Sequence, residues 1–457
     1  MTILSQLAAM RSYFETGITK PYAFRKQQLL LLKQAVTAHE EEIYAALYAD
    51  LKKSKEECWV TENGFFLAEL NDTMNHLRQW MSHESVRTNL LNLPSNSYIL
   101  REPLGITLII GPWNYPFQLL FTPLIGAIAA GNCVVLKPSE FAPATSAVMQ
   151  KIIEATFPKE YVLYVPGDGA AVIPEMMNHF TFDHVFYTGS TAVGKLIYKM
   201  AAERLVPVTL ELGGKSPCVV EQDANINIAA KRIVMTKFSN AGQMCVAPDY
   251  VLVHVSQKDA LVKAMKEKII EFFGARAEEC DHYGRLVNTK QFDRVAAYLT
   301  QGKVLHGGRQ NRSDLFIEPT LLDQVNPEAA VMKEEIFGPV LPILTFSTPD
   351  EAKAIIAQNP NPLAFYVFTS SSAKETFWLD AIPAGGACVN NASWHLTNPS
   401  LPFGGRGFSG TGAYHGKYSF DTFSHKKAVM RTPTWFDPSI KYPPLKGKLK
   451  LFKWIIR

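Results

Sequence analysis

The 457-residue sequence has no apolar run long enough to span a bilayer, so no transmembrane helix is expected. Its first residues, Met1 to Ser5, lack the basic stretch and apolar core of a signal peptide. The six cysteines lie far apart and form no C-x-x-C pair, which argues against a disulfide framework and against a zinc site. Because His, Asp and Glu nowhere have metal-ligand spacing, we expect no metal. These absences favour a protein of the reducing cytoplasm.

The sequence also lacks an excess of positive charge in its main part. The net charge of +4 arises from residues 441–457, which hold five Lys and one Arg and no acidic residue. Without this segment the chain is slightly acidic, so we expect no nucleic-acid-binding surface on the body of the protein. The hydrophobic fraction of 47% and the charged fraction of 19% are those of an ordinary globular enzyme, which argues against disorder.

Short apolar strands alternate with helical stretches from Gly105 onward, after a long helical pattern at 21–53. A first set of strands is predicted at 106–110, 133–137, 161–165 and 184–188, each followed by a helix. A second set is predicted at 250–255, 316–317, 340–346, 365–368 and 387–389. This alternation is typical of an α/β fold with open parallel sheets covered by helices. The two sets predict two such domains.

Two side chains in this pattern indicate chemistry. Cys245 lies in a glycine-containing turn that leads into the strand at 250–255, and a turn can expose a thiol as a nucleophile. Glu211 ends another predicted strand, where open α/β sheets gather their catalytic groups. Together they suggest covalent catalysis through sulfur followed by base-assisted release. The alternative for a single cysteine is a small buried hydrophobe.

Residues 189–196 lie between a predicted strand and a helix and match the G-x-x-x-x-G-K spacing of a Walker A loop. The next residue is Leu196 rather than Ser or Thr, so the hydroxyl that would hold Mg²⁺ is missing. The predicted apolar face of this helix consists of Val193, Leu196, Ile197, Met200 and Ala201. A helix N-terminus opened by Gly189 is suited to a pyrophosphate, but no convincing G-x-G-x-x-G is present. Local chemistry therefore leaves nucleotide binding open.

Seven motifs occur in order along the chain. They are GPWNYP at 111–116, KPSE at 137–140, FYTGSTAVG at 186–194, LELGGKSP at 210–217, GQMC at 242–245, EEIFGPV at 334–340 and PFGG at 402–405. This set closely resembles the aldehyde dehydrogenase superfamily over nearly the whole chain. The segment 409–425 and the early start of the chain resemble its shorter, class 3-like branch, whose members are commonly homodimers.

The resemblance implies a division into domains. It assigns 1–84 and 102–211 to a Rossmann-like NAD(P)-binding domain that departs from the standard fingerprint, and 212–395 to a catalytic domain. Bridging or oligomerisation segments are expected at 85–101 and 396–435, with a basic tail at 436–457. The sequence at 87–101 looks like a hairpin around Pro94 that forms a small β arm toward another subunit. The alternative is an ordinary surface hairpin.

The resemblance also implies catalytic roles. Cys245 matches the nucleophile that attacks the aldehyde carbonyl, and Asn114 matches the amide that stabilises the oxyanion together with the Cys245 N–H. Glu211 matches the base that activates water to release the acid. The implied function is NAD(P)-dependent oxidation of an aldehyde to its carboxylic acid through a thiohemiacetal and a thioester. Three alternatives are release of the thioester by coenzyme A, a P-loop nucleotide-binding protein and a non-catalytic role.

The cofactor site follows from the same resemblance. The matching residues are Trp113, Lys137, Glu140, Gly189, Ser190, Gly194, Glu335 and Phe337. Lys137 and Glu140 match residues that hold the adenine ribose, and Glu335 matches the acid on the nicotinamide ribose. Because an acid beside the adenine ribose disfavours the extra phosphate of NADP, NAD is expected first, with NADP also accepted.

The choice of substrate is less well defined. An apolar entrance for a medium- or long-chain aliphatic or an aromatic aldehyde would consist of Phe65, Tyr115, Met244 and Trp394. The alternative is that these side chains belong to the core. Arg406 stands where relatives usually have a small apolar residue, and its environment, solvent or a neighbouring subunit, stays open.

The end of the chain has its own pattern. Arranged as a helix, residues 445–457 place Leu445, Leu449, Phe452 and Ile456 on one face and Lys446, Lys450, Lys453 and Arg457 in a second row. Such a basic amphipathic segment predicts peripheral contact with an anionic membrane. The alternative is a tail that docks on its own body or on a partner.

Overall fold

The computed structural model describes residues 2–456. The strands are β1 Glu84–Val86, β2 Asn96–Pro103, β3 Ile106–Ile110, β4 Cys133–Lys137, β5 Val162–Tyr164, β6 His184–Gly189, β7 Val208–Leu212, β8 Pro217–Val220, β9 Tyr250–His254, β10 Lys303–His306, β11 Gln310–Asn311, β12 Phe316–Ile317, β13 Thr320–Asp323, β14 Val340–Phe346, β15 Ala364–Phe368, β16 Gly386–Val389, β17 Gly410–Thr411 and β18 Ser424–Arg431.

The helices cover both faces of the two large sheets. They are α1 Ile3–Glu15, α2 Tyr22–Ala38, α3 Glu40–Leu51, α4 Lys55–Cys58, α5 Gly64–Trp80, α6 Gln118–Ala130, α7 Pro143–Thr156, α8 Gly169–His179, α9 Thr191–Ala202, α10 Ile226–Phe238, α11 Lys258–Phe273, α12 Thr289–Tyr298, α13 Ala330–Lys333, α14 Pro349–Ile356, α15 Ser372–Ala381, α16 Gly416–Thr422 and α17 Leu449–Ile455. A single π-helical turn, Trp59–Asn63, joins α4 to α5.

The first large sheet has the strand order β17-β7-β6-β3-β4-β5. Its strands β5, β4, β3, β6 and β7 run parallel to their neighbours, and β17 adds an antiparallel edge. Strands β3 and β4 are buried along their whole length, as expected for apolar strands covered on both faces. Numbered along the chain from β3, the parallel order is 3-2-1-4-5, that of a doubly wound nucleotide-binding sheet, and the order reverses between β3 and β6.

The second large sheet has the strand order β10-β13-β14-β9-β8-β15-β16. All neighbouring pairs are parallel except β10 with β13. The predicted α/β fold with two open parallel sheets is therefore confirmed. The predicted strand positions agree with the observed ones to within one or two residues because continuous apolar runs bounded by turns define them.

A third, smaller sheet is antiparallel throughout, in the order β1-β2-β18. The hairpin expected at 87–101 is present, but its first strand lies earlier, at β1, and pairs Val86 with Ser97. The longest pairing joins β2 to β18 from Pro103 with Ser424 to Asn96 with Arg431. These strands come from distant parts of the chain, so no local pattern could reveal that β18 completes the sheet.

Two helical predictions need correction. The long helix expected at 21–53 is divided at His39, whose backbone leaves the helical region, and three glutamates open α3 at its N-terminus. The predicted apolar face of α9 is also wrong in part, because Val193 and Leu196 are exposed while Gly194, Ile197 and Ala201 are buried. Helix α9 therefore packs through Gly194, Ile197 and Ala201.

The tail forms a shorter helix than the predicted one. Helix α17 begins at Leu449, because Gly447 just before it has a φ of 85°, which a right-handed helix does not permit. Leu445 and Lys446 therefore precede the helix, and Arg457 lies outside the described residues. Among the described residues, no helix is long and apolar enough to cross a membrane.

The chain passes directly from one large sheet to the other. Strand β7 ends at Leu212 and β8 begins at Pro217, with only a short glycine-containing connection between them. The carboxyl ends of the first sheet's strands therefore face the segments that lead into the second sheet. This junction is where the candidate site lies.

Candidate active site

A cavity of about 540 Å³ lies at the junction of the two sheets. Part of its wall lies at the carboxyl ends of β3, β6 and β7, another part precedes β9, β14 and β15 of the second sheet, and further residues come from α6, α12 and the segment around β17. The predicted site residues that line it are Trp113, Asn114, Gly189, Ser190, Glu211, Cys245, Glu335 and Phe337. Residues far apart in sequence thus share one cavity, as the motif pattern predicts.

Cys245 is held by a turn with unusual backbone geometry. Asn240 and Ala241 have φ values of 49° and 50°, and Gly242 has a φ of 76°. A methyl group at Gly242 would overlap the carbonyl of Gly338, so only glycine fits this close approach. The thiol is partly buried. Burial, with the nearby Glu335 and Glu211 carboxylates, raises its pKa to about 12.

Asn114 lies in the loop that follows β3 and is almost completely buried. Its side-chain Nδ2 donates to the carbonyl of Gln243 at 3.0 Å, two residues before the cysteine. That contact uses one of the two amide protons and leaves the other for a developing oxyanion. The arrangement can therefore supply a neutral donor beside Cys245.

Glu211 lies in β7 and is buried. Neither of its carboxylate oxygens has a hydrogen-bond partner among the described residues. Burial alone raises its pKa well above the ordinary value. In its ionised form, a carboxyl group with a raised pKa and both oxygens available is a strong proton acceptor, which is what a general base needs.

Glu335 precedes β14 and lies against the connection between the two sheets. It accepts a hydrogen bond from the backbone N–H of Gly214, and burial, followed by the charge of Asp249, raises its pKa to about 8. A methyl group at Gly213 would overlap the Glu335 carboxylate, so this glycine allows the close contact. Phe337 meets Trp113 edge to face at a centroid distance of 5.2 Å.

The residues expected at the adenine ribose lie beyond this cavity wall, at the end of β4. Lys137 Nζ donates to the carbonyl of Pro138 at 2.5 Å and pairs with Glu140 at 3.3 Å. The other Glu140 oxygen accepts from the N–H of Gly169 at 3.2 Å. This exposed, fixed carboxylate beside a lysine offers the acceptor and donor that a ribose diol requires.

The N-terminus of α9 forms the other part of the predicted cofactor site. Ser190 is its N-cap and accepts from the N–H of Val193 at 3.4 Å. A side chain at Gly189 would collide with the hydroxyl of Tyr187, and one at Gly194 would meet Leu212 at 2.7 Å. Gly194 thus allows close packing of helix on sheet, while Gly189 keeps the helix end open. A pyrophosphate fits here, at the sheet's switch point.

The residues expected at the substrate entrance do not line this cavity. Tyr115 is buried, with Lys53 Nζ 3.9 Å from its ring centroid, and Phe65 packs edge to face on His415 at 5.3 Å. Met244 is partly buried beside the nucleophile, and Trp394 is exposed. Whether these four residues contact an aldehyde stays a prediction. Arg406 is exposed, in a turn closed by the Ser409 hydroxyl.

Sequence reasoning missed several residues of the site. Those of the cavity wall include Leu119, Thr188, Gln291, Arg294, Leu363, Phe403 and Tyr414. Phe403 and Tyr414 are bridged to each other, so the predicted bridging segment 396–435 contributes to this wall. Tyr414 lies within the segment 409–425 that carries part of the family resemblance, but nothing in its local pattern separates it from a core tyrosine. Among the described residues, no group of His, Cys, Asp and Glu is arranged to hold a metal.

Comparison with known proteins agrees with the family resemblance of the motifs. The family model described as "Aldehyde dehydrogenase family" matches residues 3–429. The chain is 46% identical over 445 residues to the 4,4'-diaponeurosporen-aldehyde dehydrogenase of Staphylococcus aureus, covering 97% of this chain and 96% of that protein. It is 41% identical over 441 residues to the "Aldehyde dehydrogenase, dimeric NADP-preferring" of Rattus norvegicus, covering 96% and 97% respectively.

Two solved structures agree with these relatives. A structure described as the substrate-bound state of Staphylococcus aureus AldH superimposes with a TM-score of 0.97 at 44% identity, covering 100% of both chains. An indole-3-acetaldehyde dehydrogenase in complex with NAD+ superimposes with a TM-score of 0.85 at 30% identity, covering 94% of this chain and 88% of that one. The predicted resemblance is confirmed, and the chain belongs to the aldehyde dehydrogenase family, a family of oxidoreductases.

Proposed function

We propose that this protein oxidises an aldehyde to its carboxylic acid with NAD, using Cys245 as the nucleophile. The observation that carries the proposal is the meeting of Cys245, Asn114 and Glu211 in one cavity. A thiol, a neutral amide donor and an unpaired carboxylate are the three groups that this chemistry requires. Relatives named aldehyde dehydrogenases cover nearly the whole chain, which supports the same reaction.

The residues act in sequence. The sulfur of Cys245 forms a bond to the aldehyde carbon while its proton passes to water, and the Asn114 amide stabilises the resulting oxyanion. The chemistry that NAD would supply when bound is acceptance of the hydride from this carbon. The thioester left on Cys245 is then attacked by water, whose proton passes to Glu211. The carbon–sulfur bond breaks, the acid leaves, and the proton held by Glu211 passes to the sulfur, which restores the thiol.

Three groups of residues would hold the cofactor. The α9 N-terminus would hold the pyrophosphate, Lys137 and Glu140 the adenine ribose, and Glu335 the nicotinamide ribose. The negative Glu140 disfavours a 2′-phosphate, so we expect NAD to be preferred and NADP to be used less well. One relative is named as NADP-preferring, which supports some activity with both cofactors.

An assay of cofactor reduction tests this function directly. Purified protein should reduce NAD in the presence of medium- and long-chain aliphatic and aromatic aldehydes, with NADP assayed in parallel. Apolar and aromatic side chains in the cavity wall, among them Trp113, Leu119 and Phe403, support such substrates. Coenzyme A is left out, so turnover without it argues against the acylating alternative. Inactivity on every aldehyde would overturn the proposal.

Replacing Gly213 with alanine is expected to raise the KM for NAD about tenfold while stability stays almost unchanged. The added methyl group would displace the Glu335 carboxylate, which is the end of a flexible side chain and can turn away. Loss of one cofactor contact worth about 1.4 kcal/mol corresponds to a tenfold change in affinity. Titration of NAD against the variant measures the effect. The same change in a Glu335→Ala background should have little further effect, and a full tenfold loss there contradicts the argument.

The small antiparallel sheet of β1, β2 and β18 and the C-terminal tail suggest how the protein associates with a second subunit and with a membrane. We propose the domain division given above, with β1, β2 and β18 as an arm that contributes to a homodimer. Their exposed residues and the name of the dimeric relative support this assembly. We also propose a cytoplasmic location with peripheral contact to an anionic membrane through residues 445–456.

Truncation after Tyr442 is expected to reduce cosedimentation with anionic liposomes by at least about fivefold at low salt. In the described tail, Leu449, Trp454 and Ile456 are exposed beside lysines, so apolar and basic groups are both available to a membrane. Neutral liposomes are the control for charge. Equal sedimentation of the full-length and truncated proteins would refute membrane contact through this segment.

A further inference from the structure

An ion pair lies fully buried behind the loop that carries Asn114. Lys53 Nζ meets Glu62 Oε1 at 2.7 Å, and both side chains have no exposed surface. Burying two opposite charges rarely stabilises a fold relative to apolar side chains, so such a pair calls for a specific reason. Neither residue lines the cavity, which places the pair outside the site described above.

The contacts of the pair give that reason. Lys53 Nζ also donates to the backbone carbonyl of Asn114 at 3.0 Å and lies over the ring of Tyr115. The second oxygen of Glu62 accepts from the N–H of Gln118 at 2.8 Å, at the first residue of α6. The pair therefore forms hydrogen bonds to both ends of the short loop that runs from Asn114 to the start of α6.

Both charged side chains come from segments in which the backbone departs from a regular α-helix. Lys53 follows the end of α3, where Lys52 caps the helix in the left-handed conformation with a φ of 57°. Glu62 lies in the single π-helical turn, Trp59–Asn63. Such turns often occur at functional sites because they rotate one side chain away from the regular helical position.

A second set of contacts joins the same loop to the turn of the nucleophile. Asn240 Nδ2 donates to the carbonyl of Asn114 at 2.8 Å and to that of Gln243 at 3.2 Å. The N–H of Asn240 donates to Glu57 at 2.8 Å. The backbone carbonyl of Asn114 thus accepts hydrogen bonds both from the Lys53 ammonium and from Asn240, which lies in the turn that carries Cys245.

We propose that Lys53 and Glu62 are positioning residues for the oxyanion site. They fix the backbone of Asn114, so that its amide stays against the Gln243 carbonyl and beside the N–H of Cys245. A displacement of about 1 Å in such a donor can cost on the order of 100-fold in rate. This inference rests on the proposed function, because it needs Asn114 to stabilise the oxyanion.

A double-mutant cycle tests the proposal. Lys53→Met should lower kcat/KM for an aldehyde on the order of 100-fold in the otherwise unchanged enzyme. In an Asn114→Ala background, the same change should lower it less than about threefold, because the group it positions is gone. The KM for NAD should stay unchanged in each variant. Equal loss in both backgrounds means that Lys53 acts independently of Asn114 and overturns the proposal.

A second variant keeps the test informative if Lys53→Met does not fold. Asn240→Gly removes a donor to the same carbonyl without leaving a charge unpaired, and glycine accepts the φ of 49° at this position. It should show the same dependence on Asn114, and additive losses would again refute positioning. Lys258→Met is the matched control, since it breaks a 2.7 Å pair with Asp323 at the far edge of the second sheet. That variant should keep full activity.

The outcomes separate this inference from the proposed function. If the unchanged enzyme oxidises no aldehyde, or if Asn114→Ala has no effect, the proposed function or its oxyanion site is wrong. If Asn114→Ala lowers the rate and Lys53→Met gives an additive loss, only the positioning role is wrong.

Discussion

Replacing Cys245 with alanine is expected to abolish aldehyde oxidation, with kcat falling at least about 10,000-fold. The reason is that Cys245 supplies the one thiol among the residues of the cavity wall, and hydride loss requires the covalent bond that this sulfur forms to the aldehyde carbon. Cofactor reduction with a saturating aldehyde measures the loss. NAD should still bind with an unchanged dissociation constant, because the residues proposed to hold it are untouched.

Cys388 provides the matched control. It is also partly buried, and its sulfur lies 3.2 Å from Nδ1 of His395, so a thiol beside a histidine is present away from the cavity wall. Cys388→Ala should leave kcat within about twofold of the unchanged enzyme. Turnover retained by the Cys245 variant and lost in the Cys388 variant would mean that the wrong cysteine has been assigned.

Local patterns predict the two large sheets well, and the reason is physical. Strands such as β3 and β4 are buried on both faces, so each is a short apolar run between turns. The prediction that the motif residues share one site rests on the family resemblance, and most of these residues lie at or beside the ends of such strands. Cys245, Glu211 and Asn114 are brought to one cavity by the sheet edges rather than by nearness in sequence.

Contacts between distant segments could not be predicted in this way. Strand β18 pairs with β2 across more than three hundred residues, and neither strand has a pattern that specifies its partner. Lys53 and Glu62 look like the charges of any exposed helical region, although both are buried. Val193 and Leu196 have the spacing of a buried face but are exposed, since the glycine of α9 sets which side approaches the sheet.

The site also contains buried polar groups that lower the stability of the fold and that an apolar core would not contain. Glu211 is buried with neither oxygen hydrogen-bonded among the described residues, and Glu335 and Cys245, which line the same cavity, have raised pKa values. Burying a carboxyl group without partners opposes folding, and it opposes folding more strongly when that group is ionised. The protein thus holds at its reaction centre a group that stability alone would not select, which is typical of catalytic carboxylates.

Replacing Glu211 with glutamine should therefore reduce turnover while increasing stability at alkaline pH. We expect steady-state kcat to fall about 100- to 10,000-fold, because no group would accept the proton of the attacking water. The first turnover should survive, since hydride transfer precedes hydrolysis. Rapid mixing should show a burst of about one NADH per active site followed by a slow rate. A proportional loss of the burst would place Glu211 before the thioester instead.

The stability of the same variant follows from the sign of the pKa shift. The pKa of Glu211 is raised by burial, so the folded state binds its proton more tightly than the unfolded state does. The stability that this proton contributes is present below the ordinary glutamate pKa, and it is lost as the pH rises toward the folded-state value. Glutamine does not ionise, so Glu211→Gln should gain Tm relative to the unchanged enzyme as the pH rises above the ordinary glutamate pKa, by about 2–4 °C. Glu318→Gln is the control, because Glu318 is paired with Arg309 at 2.7 Å and its variant should gain nothing. If Glu211→Gln loses Tm with rising pH relative to the unchanged enzyme, the carboxylate has a stabilising partner and cannot be the free base proposed here.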